Sequence, residues 1–286
     1  MRTCTFRVLL LPSVLSLLSV GSHAGTIDGF AVLGASTVTN TGPTTILGDV
    51  GLSPGSSITG FGSATLTGVE DIDNTPAING QIDATTFYDT DIAPSFLIGA
   101  DNLTGDDLGS FGSEGLAPGV YYFSSSAQLT GALLLDAEGT DTASWTFVMG
   151  STLTTASASS VAIIDSGIPG PYTGSIDWVV GSSTTLGTGT TFLGTIVADA
   201  SDTLNTGATD GCGGVIALTG AVTLDNNTIS TACSVTGTGT PVGPPVTPVP
   251  EPGTFALLSC AALGMVFLTF RNSRTKRLSA AALPIQ

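Results

Sequence analysis

Along the middle of the chain, apolar positions come in short runs bounded by Gly or Ser. They are VYYF (120–123), LLL (133–135), WTFV (145–148), VAII (161–164), IDWVV (176–180), TIVA (195–198) and VIAL (215–218). Each run is three to five residues of mostly β-branched or aromatic side chains, which is the strand pattern. STVT (36–39), TILGDV (45–50) and SIT (57–59) extend it toward the N-terminus. One stretch departs from this pattern. Asp73-Asn74-Thr75-Pro76 has the form of a helix start, and Ile78, Ile82, Thr85, Tyr88 or Asp89, and Ile92 follow at three-to-four spacing until Pro94. Gly80 counts against the helix, because glycine is a poor helix former. A single helix among strands is expected to lie along one side and cover its apolar surface.

The strand segments repeat. Thr152-Leu153, Thr185-Leu186, Thr203-Leu204 and Thr223-Leu224 recur at intervals of 33, 18 and 20 residues. An interval of 18 to 20 divided over three sides leaves about six residues per side, a normal strand, with successive turns stacked at roughly 4.8 Å. The predicted fold class is therefore mainly β, a three-sided β-solenoid with one α-helix alongside. The interval of 33 accommodates an excursion through DSGIPGP (165–171), whose Gly and Pro mark a loop. If Leu186 and Leu204 point inward, alternation turns Thr185, Thr191, Thr203 and Thr209 outward, while Thr188 and Thr206 require a corner. Cys212 and Cys233 are separated by about one coil, so a disulfide between rungs is within reach; two buried thiols are the alternative.

The ends of the chain are of another kind. Residues 1–24 carry Arg2 and Arg7, an apolar run over 8–20, and small residues before a cut after Ala24, the pattern of a secretory signal peptide. The exported domain is expected to span 25–235. Residues 236–248 are a Pro/Thr/Gly linker. Residues 249–277 then hold VPEPG, an apolar segment over 254–270 of the length of a short membrane span, and the basic cluster Arg271, Arg274, Lys276 and Arg277, leaving 278–286 as a cytoplasmic tail. This ordering resembles the PEP-CTERM sorting signal of Gram-negative bacteria. The resemblance implies an exosortase-type processing enzyme as a partner and a product secreted or held at the cell surface or in the extracellular matrix.

Charge narrows the chemistry. There are 22 acidic and 6 basic residues, and between Ala24 and Phe270 there is no Lys, Arg or His. Nucleic-acid binding, which depends on basic side chains, is excluded, and so are Ser-His-Asp and Cys-His catalysis. A solenoid polysaccharide hydrolase or lyase would draw on the same missing residues. The chain reads as a non-enzyme with no cofactor. Glu70, Asp71, Asp73 and Asn74, or Asp106 and Asp107, could be imagined around calcium, but they lack the Asp-x-Asp-x-Asp-Gly loop and read as turn residues.

The blocks GASTVTNTGPTTILGDVGLSPGSSITGF (34–61), LAPGVYYFSSSAQLTGALLLDAEG (116–139), GSTLTTASASSV (150–161), GSSTTLGTGTTFLGTIVA (181–198) and GAVTLDNNTIS (220–230) resemble the microbial ice-binding protein family. The resemblance spans about residues 26–233. It implies a right-handed, discontinuous β-solenoid flanked by one long helix, with ice as the partner. It also implies a Thr-Ala/Gly-x-Thr/Asn motif on the ice-facing side. Three matches occur: Thr41 to Thr44, Thr188 to Thr191, and Thr206 to Thr209. Thr155-Ala156-Ser157-Ala158 and Asn226-Asn227-Thr228-Ile229 sit in equivalent places and depart from the motif. With the repeat itself, the candidate ice-facing residues are Thr41, Thr44, Thr185, Thr188, Thr191, Thr203, Thr206, Thr209 and Thr223. Threonine suits such a face because its methyl and hydroxyl hold water without charge and its β-branch fixes the rotamer. A structural or adhesive role in the extracellular matrix is the competing reading.

Overall fold

The computed structural model describes residues 26–167 and 170–235. The segments expected to form a signal peptide (1–24), a linker (236–248), a sorting and membrane segment (249–277) and a cytoplasmic tail (278–286) lie outside the described residues. Within them, three parallel sheets of nine, seven and seven strands form the walls of a solenoid, here called sheets A, B and C. Each rung contributes one strand to each wall in the order A, B, C.

The rungs do not follow the chain. Phe30–Gly34, Thr37–Thr41 and Thr45–Leu47 make one rung, and Asp49–Leu52, Ser57–Thr59 and Thr65–Leu66 the next. The chain then adds Glu70–Ile72 to sheet A, forms the helix Thr75–Asp91, and lays Asp101–Asn102 at the opposite end of sheet A. Five further rungs lead back. The last of them, Val215–Ala217, Val222–Asp225 and Thr228–Ser230, pairs directly with the first rung of the chain: Val32 lies opposite Val215, Thr39 opposite Thr223 and Thr45 opposite Thr228. The solenoid is thus discontinuous in sequence and continuous in space, seven rungs high.

The interior follows from strand alternation. Leu186, Leu204 and Leu224 are fully buried and stacked in register. Tyr121, Phe147 and Trp178 stack along sheet A, with ring centroids 5.3 and 4.2 Å apart, and Phe192 of sheet C closes on Trp178 at 4.7 Å. Sheet A is apolar on both faces. Leu33, Val148, Val179, Val197 and Ile216 point outward and form a second core with Ile27, Phe30, Ala84 and Phe87. The helix covers that face. Its 17 residues extend about 25 Å, and it packs mainly against Phe30–Gly34, Asp49–Leu52 and Glu70–Ile72 at one end of sheet A.

Helix start and type agree with the sequence: the Asn74 side chain accepts a hydrogen bond from the Ala77 N–H, and Pro76 lies in the first turn. The buried face is different. Ala77, Gly80, Ala84, Phe87 and Asp91 face the sheet, whereas Ile78 and Ile82 are exposed. The sheet already presents large side chains, so the helix approaches with its small ones. A Cβ on Gly80 would come within 2.7 Å of Phe30 and 3.1 Å of Leu33.

Two further expectations are corrected. Residues 45–50 are not one strand, since Gly48 at φ 152° turns the chain from sheet C to sheet A. The repeat unit Thr152-Leu153 is out of phase with the others, because Leu153 pairs with Thr184, so Thr154 is the residue opposite Thr185. A slip of two preserves the inside-outside parity, which is why the sequence pattern tolerates it. Cys212 and Cys233 form the disulfide, joining successive rungs across a separation of 21 residues.

Candidate functional site

The outer faces of the three sheets differ in what they offer. Sheet A is covered by the helix. Among the described residues nothing covers sheet B, and its strands with the residue before them present two full rows of outward side chains. The central row runs Gln128, Thr154, Thr185, Thr203, Thr223, Thr39 and Thr59, each directly opposite the next in the strand register. The adjoining row, one pleat toward the start of each strand, consists of Ser126, Thr152, Ser183, Ser201, Ala221, Thr37 and Ser57. Neither row contains a charge. Their spacings are about 4.8 Å between rungs and about 6.6 Å between rows.

Along the central row, the hydroxyls are scarcely used by the protein. Thr39 donates to Thr223 at 3.4 Å, the one hydroxyl-to-hydroxyl bond of that row among the described residues. Each strand here is only three to five residues long, and parallel pairing keeps the row in register from rung to rung. β-Branching fixes the rotamers. The arrangement cannot do acid-base or nucleophilic chemistry; it can order a layer of water in two dimensions.

The candidate threonines do not form one group. Thr185, Thr203 and Thr223 stand on the central row of sheet B. Thr41 is exposed at the end of its strand, on a third row that carries Asp225. Thr188 and Thr206 are exposed at the corner between sheets B and C, where the Thr206 hydroxyl donates to the Asp225 carboxylate. Thr191 and Thr209 pair with each other on sheet C, a different flank, in a row with Ser160, Thr228, Thr45 and Thr65. That row is one residue wide, since the next outward positions include Leu134, Ala162, Gly211 and Leu47. Thr44 is corrected outright: it is fully buried, donating to Asn40 Oδ1 at 2.5 Å and accepting from the Asn227 N–H at 3.1 Å. The motif's last position therefore turns into the core on this rung.

Sequence reasoning missed Thr39, Thr59 and Thr154 as members of the face. The signal was present in STVT and SIT, where Val38 and Ile58 take the inward position and the flanking threonines the outward one.

Of the acidic residues considered for calcium, Asp71, Asp73 and Asp107 accept hydrogen bonds from within the protein. Asn74 donates to Asp71 at 2.7 Å and Ser53 to Asp73 at 3.2 Å. Asp107 accepts from the Gly109 and Thr130 N–H groups at 2.8 and 2.9 Å. Its burial raises the carboxyl's pKa, but the hydrogen bonds from Thr130 and Gly109 outweigh that and leave it below the usual value. Among the described residues no three His, Cys, Asp or Glu side chains converge on a metal position.

Against known proteins, residues 32–230 match the family model described as ice-binding-like. An ice-binding protein from Nostoc sp. (strain HG1) is 48% identical over 212 residues, 74% of this chain and 75% of that one. Ice-binding protein K3-B1 of Typhula ishikariensis is 30% identical over 192 residues, 61% of this chain and 75% of that protein. Among solved structures, an ice-binding protein from an Antarctic biological consortium superposes with a TM-score of 0.63 at 34% identity, covering 80% of this chain and 96% of the other. An ice-binding protein from an Arctic yeast, described for its antifreeze activity, gives 0.58 at 26% identity over 72% and 91%. The chain belongs to the ice-binding-like family.

Proposed function

We propose that this protein adsorbs to ice through the outer face of sheet B, restraining crystal growth and recrystallisation. The observation that carries this reading is the pair of adjoining uncharged rows, kept in register over seven rungs. Methyl groups at fixed spacing limit how surface water can orient, while the central-row hydroxyls, scarcely engaged by the protein, tie that water to it. Such a layer merges with a lattice of similar spacing more readily than the shell around a charged surface does. Once adsorbed at many points, the molecules force the ice front to bulge between them, and growth of a curved front is locally unfavourable. Family membership supports the same reading, and so does the absence of any basic residue from the domain.

The face is distinguished from its neighbour by two substitutions. Thr203→Tyr on sheet B should remove most thermal hysteresis and ice-recrystallisation inhibition, with an unchanged circular dichroism spectrum. Thr209→Tyr on sheet C should leave both within about twofold. The reverse pattern would transfer the site to sheet C. The tail motif, VPEPG with its apolar and basic segments, favours export, processing by an exosortase-type enzyme and retention at the cell surface. Retention alone would also suit an adhesive matrix component. Native protein that lacks any effect on ice, yet binds the purified matrix through the same face, would establish that role instead.

A further inference from the structure

One rung of the solenoid breaks the apolar interior twice. Asp202 points inward from sheet B, stacked between Thr184 and Val222; Asp210 points inward from sheet C, between Phe192 and Ile229. Both are essentially fully buried. The Thr184 hydroxyl lies beside Asp202 as its one polar neighbour, and Asp210 has no hydrogen-bond partner for either carboxyl oxygen among the described residues. Two buried carboxyls and a buried hydroxyl thus lie on two successive rungs, among apolar side chains that cannot pair with a carboxylate.

We propose that Asp202, Asp210 and Thr184 form an internal proton-binding site, both carboxyls being carried in the core as neutral acids that make the solenoid more stable in acid than in base. No other ion serves as well. The chain from Ala24 to Phe270 has no Lys, Arg or His to pair with a carboxylate. A calcium ion would find four carboxyl oxygens and one hydroxyl, short of its six to eight ligands, because the surrounding strand carbonyls are engaged in the ladders. A protonated carboxyl, by contrast, is both donor and acceptor and can satisfy its neighbours in place.

The groups facing the pair are Thr184 and Val222 on sheet B, Phe192 and Ile229 on sheet C, and Ile196 and Ala198 from sheet A of the same rung, none of which titrates near neutrality. Burial raises both carboxyls well above the ordinary aspartate value; a hydrogen bond with Thr184 opposes this only in part at Asp202, and the charge of Asp202 raises Asp210 further. Because the folded-state values are the raised ones, the stabilisation is complete below the unfolded aspartate pKa. It is lost as pH climbs through the folded values.

The test is a series of thermal melts of the whole exported protein between about pH 4 and pH 8. The wild type, Asp202→Asn/Asp210→Asn and the surface control Asp199→Asn would be compared. Surface acids without basic partners also repel one another as pH rises, so the informative quantity is the difference between curves. The wild-type Tm should fall by at least about 5 °C more than that of the double Asn variant, with Asp199→Asn parallel to wild type. Parallel curves for wild type and double variant would overturn the proposal. So would a wild-type Tm that responds to calcium or to a chelator. If the double variant does not fold, infrared spectra of wild type carrying isotope-labelled aspartate decide instead. A protonated carboxyl band at neutral pH supports the site, and its absence refutes it.

Discussion

Thr44 is sealed in the core while Thr45, its neighbour, stands on the outside of sheet C, and the difference determines what each hydroxyl does. On the surface, a hydroxyl is free for water. Inside, Thr44 links Asn40 to the Asn227 backbone across the place where the first and last parts of the chain meet. Thr44→Val keeps the shape and removes both bonds, leaving a buried N–H and a buried amide oxygen unpaired. The expected cost is about 2–3 kcal/mol, a fall in Tm of roughly 5–10 °C, with ice activity per folded molecule unchanged in the cold. Alternation made the parity of Thr185, Thr203 and their neighbours readable in the sequence, because inward leucine and outward threonine have a period of two. It carried no information about where a wall ends. Thr191 and Thr209 have the right parity and lie past a corner, and Thr44 follows Gly42 at φ 78°, where the count of two restarts.

The helix shows the same limit at the scale of an element. Its existence and start were legible from Asn74, Pro76 and the three-to-four spacing. Its orientation was not, because the largest apolar residues, Ile78 and Ile82, ended outside. What selects the buried face is the partner: Phe30 and Leu33 already fill the space above sheet A, and Gly80 together with Ala77 and Ala84 lets the helix axis come close. The residue that weakens the helix in isolation is the one that docks it. Gly80→Ala should therefore run against helix propensity. Propensity alone predicts a gain of about 1 kcal/mol; the clash with Phe30 and Leu33 should turn this into a net loss of about 1 kcal/mol. Urea unfolding followed by tryptophan fluorescence would measure it, and a raised midpoint would show that Phe30 yields without penalty.

At the scale of the molecule, the unusual feature is the seam between the last rung and the first. A coil leaving Thr228–Ser230 on sheet C would enter the next rung on sheet A, and the strand in that position is Phe30–Gly34. Ile27, Thr231 and Cys233 line one cleft, so the two ends of the described domain are neighbours. Contacts across the seam join residues 184 apart, as between Thr39 and Thr223. Closing so long a loop before its contacts form slows folding without necessarily altering stability. A circular permutant separates these effects. Joining Val235 to Thr26 through a short Gly/Ser linker and opening the chain at Gly99, where the backbone is in open space beside the exposed Ile98, would thread all seven rungs in spatial order and leave the helix last. Sheet B would be untouched, so ice activity and the folded spectrum should persist. Refolding should quicken by about tenfold or more, because every inter-rung contact becomes nearly local. Equal refolding rates would mean that assembly of the individual coils, not closure of the seam, limits folding. Loss of the fold would mean that the helix must be in place on sheet A before the later rungs can stack.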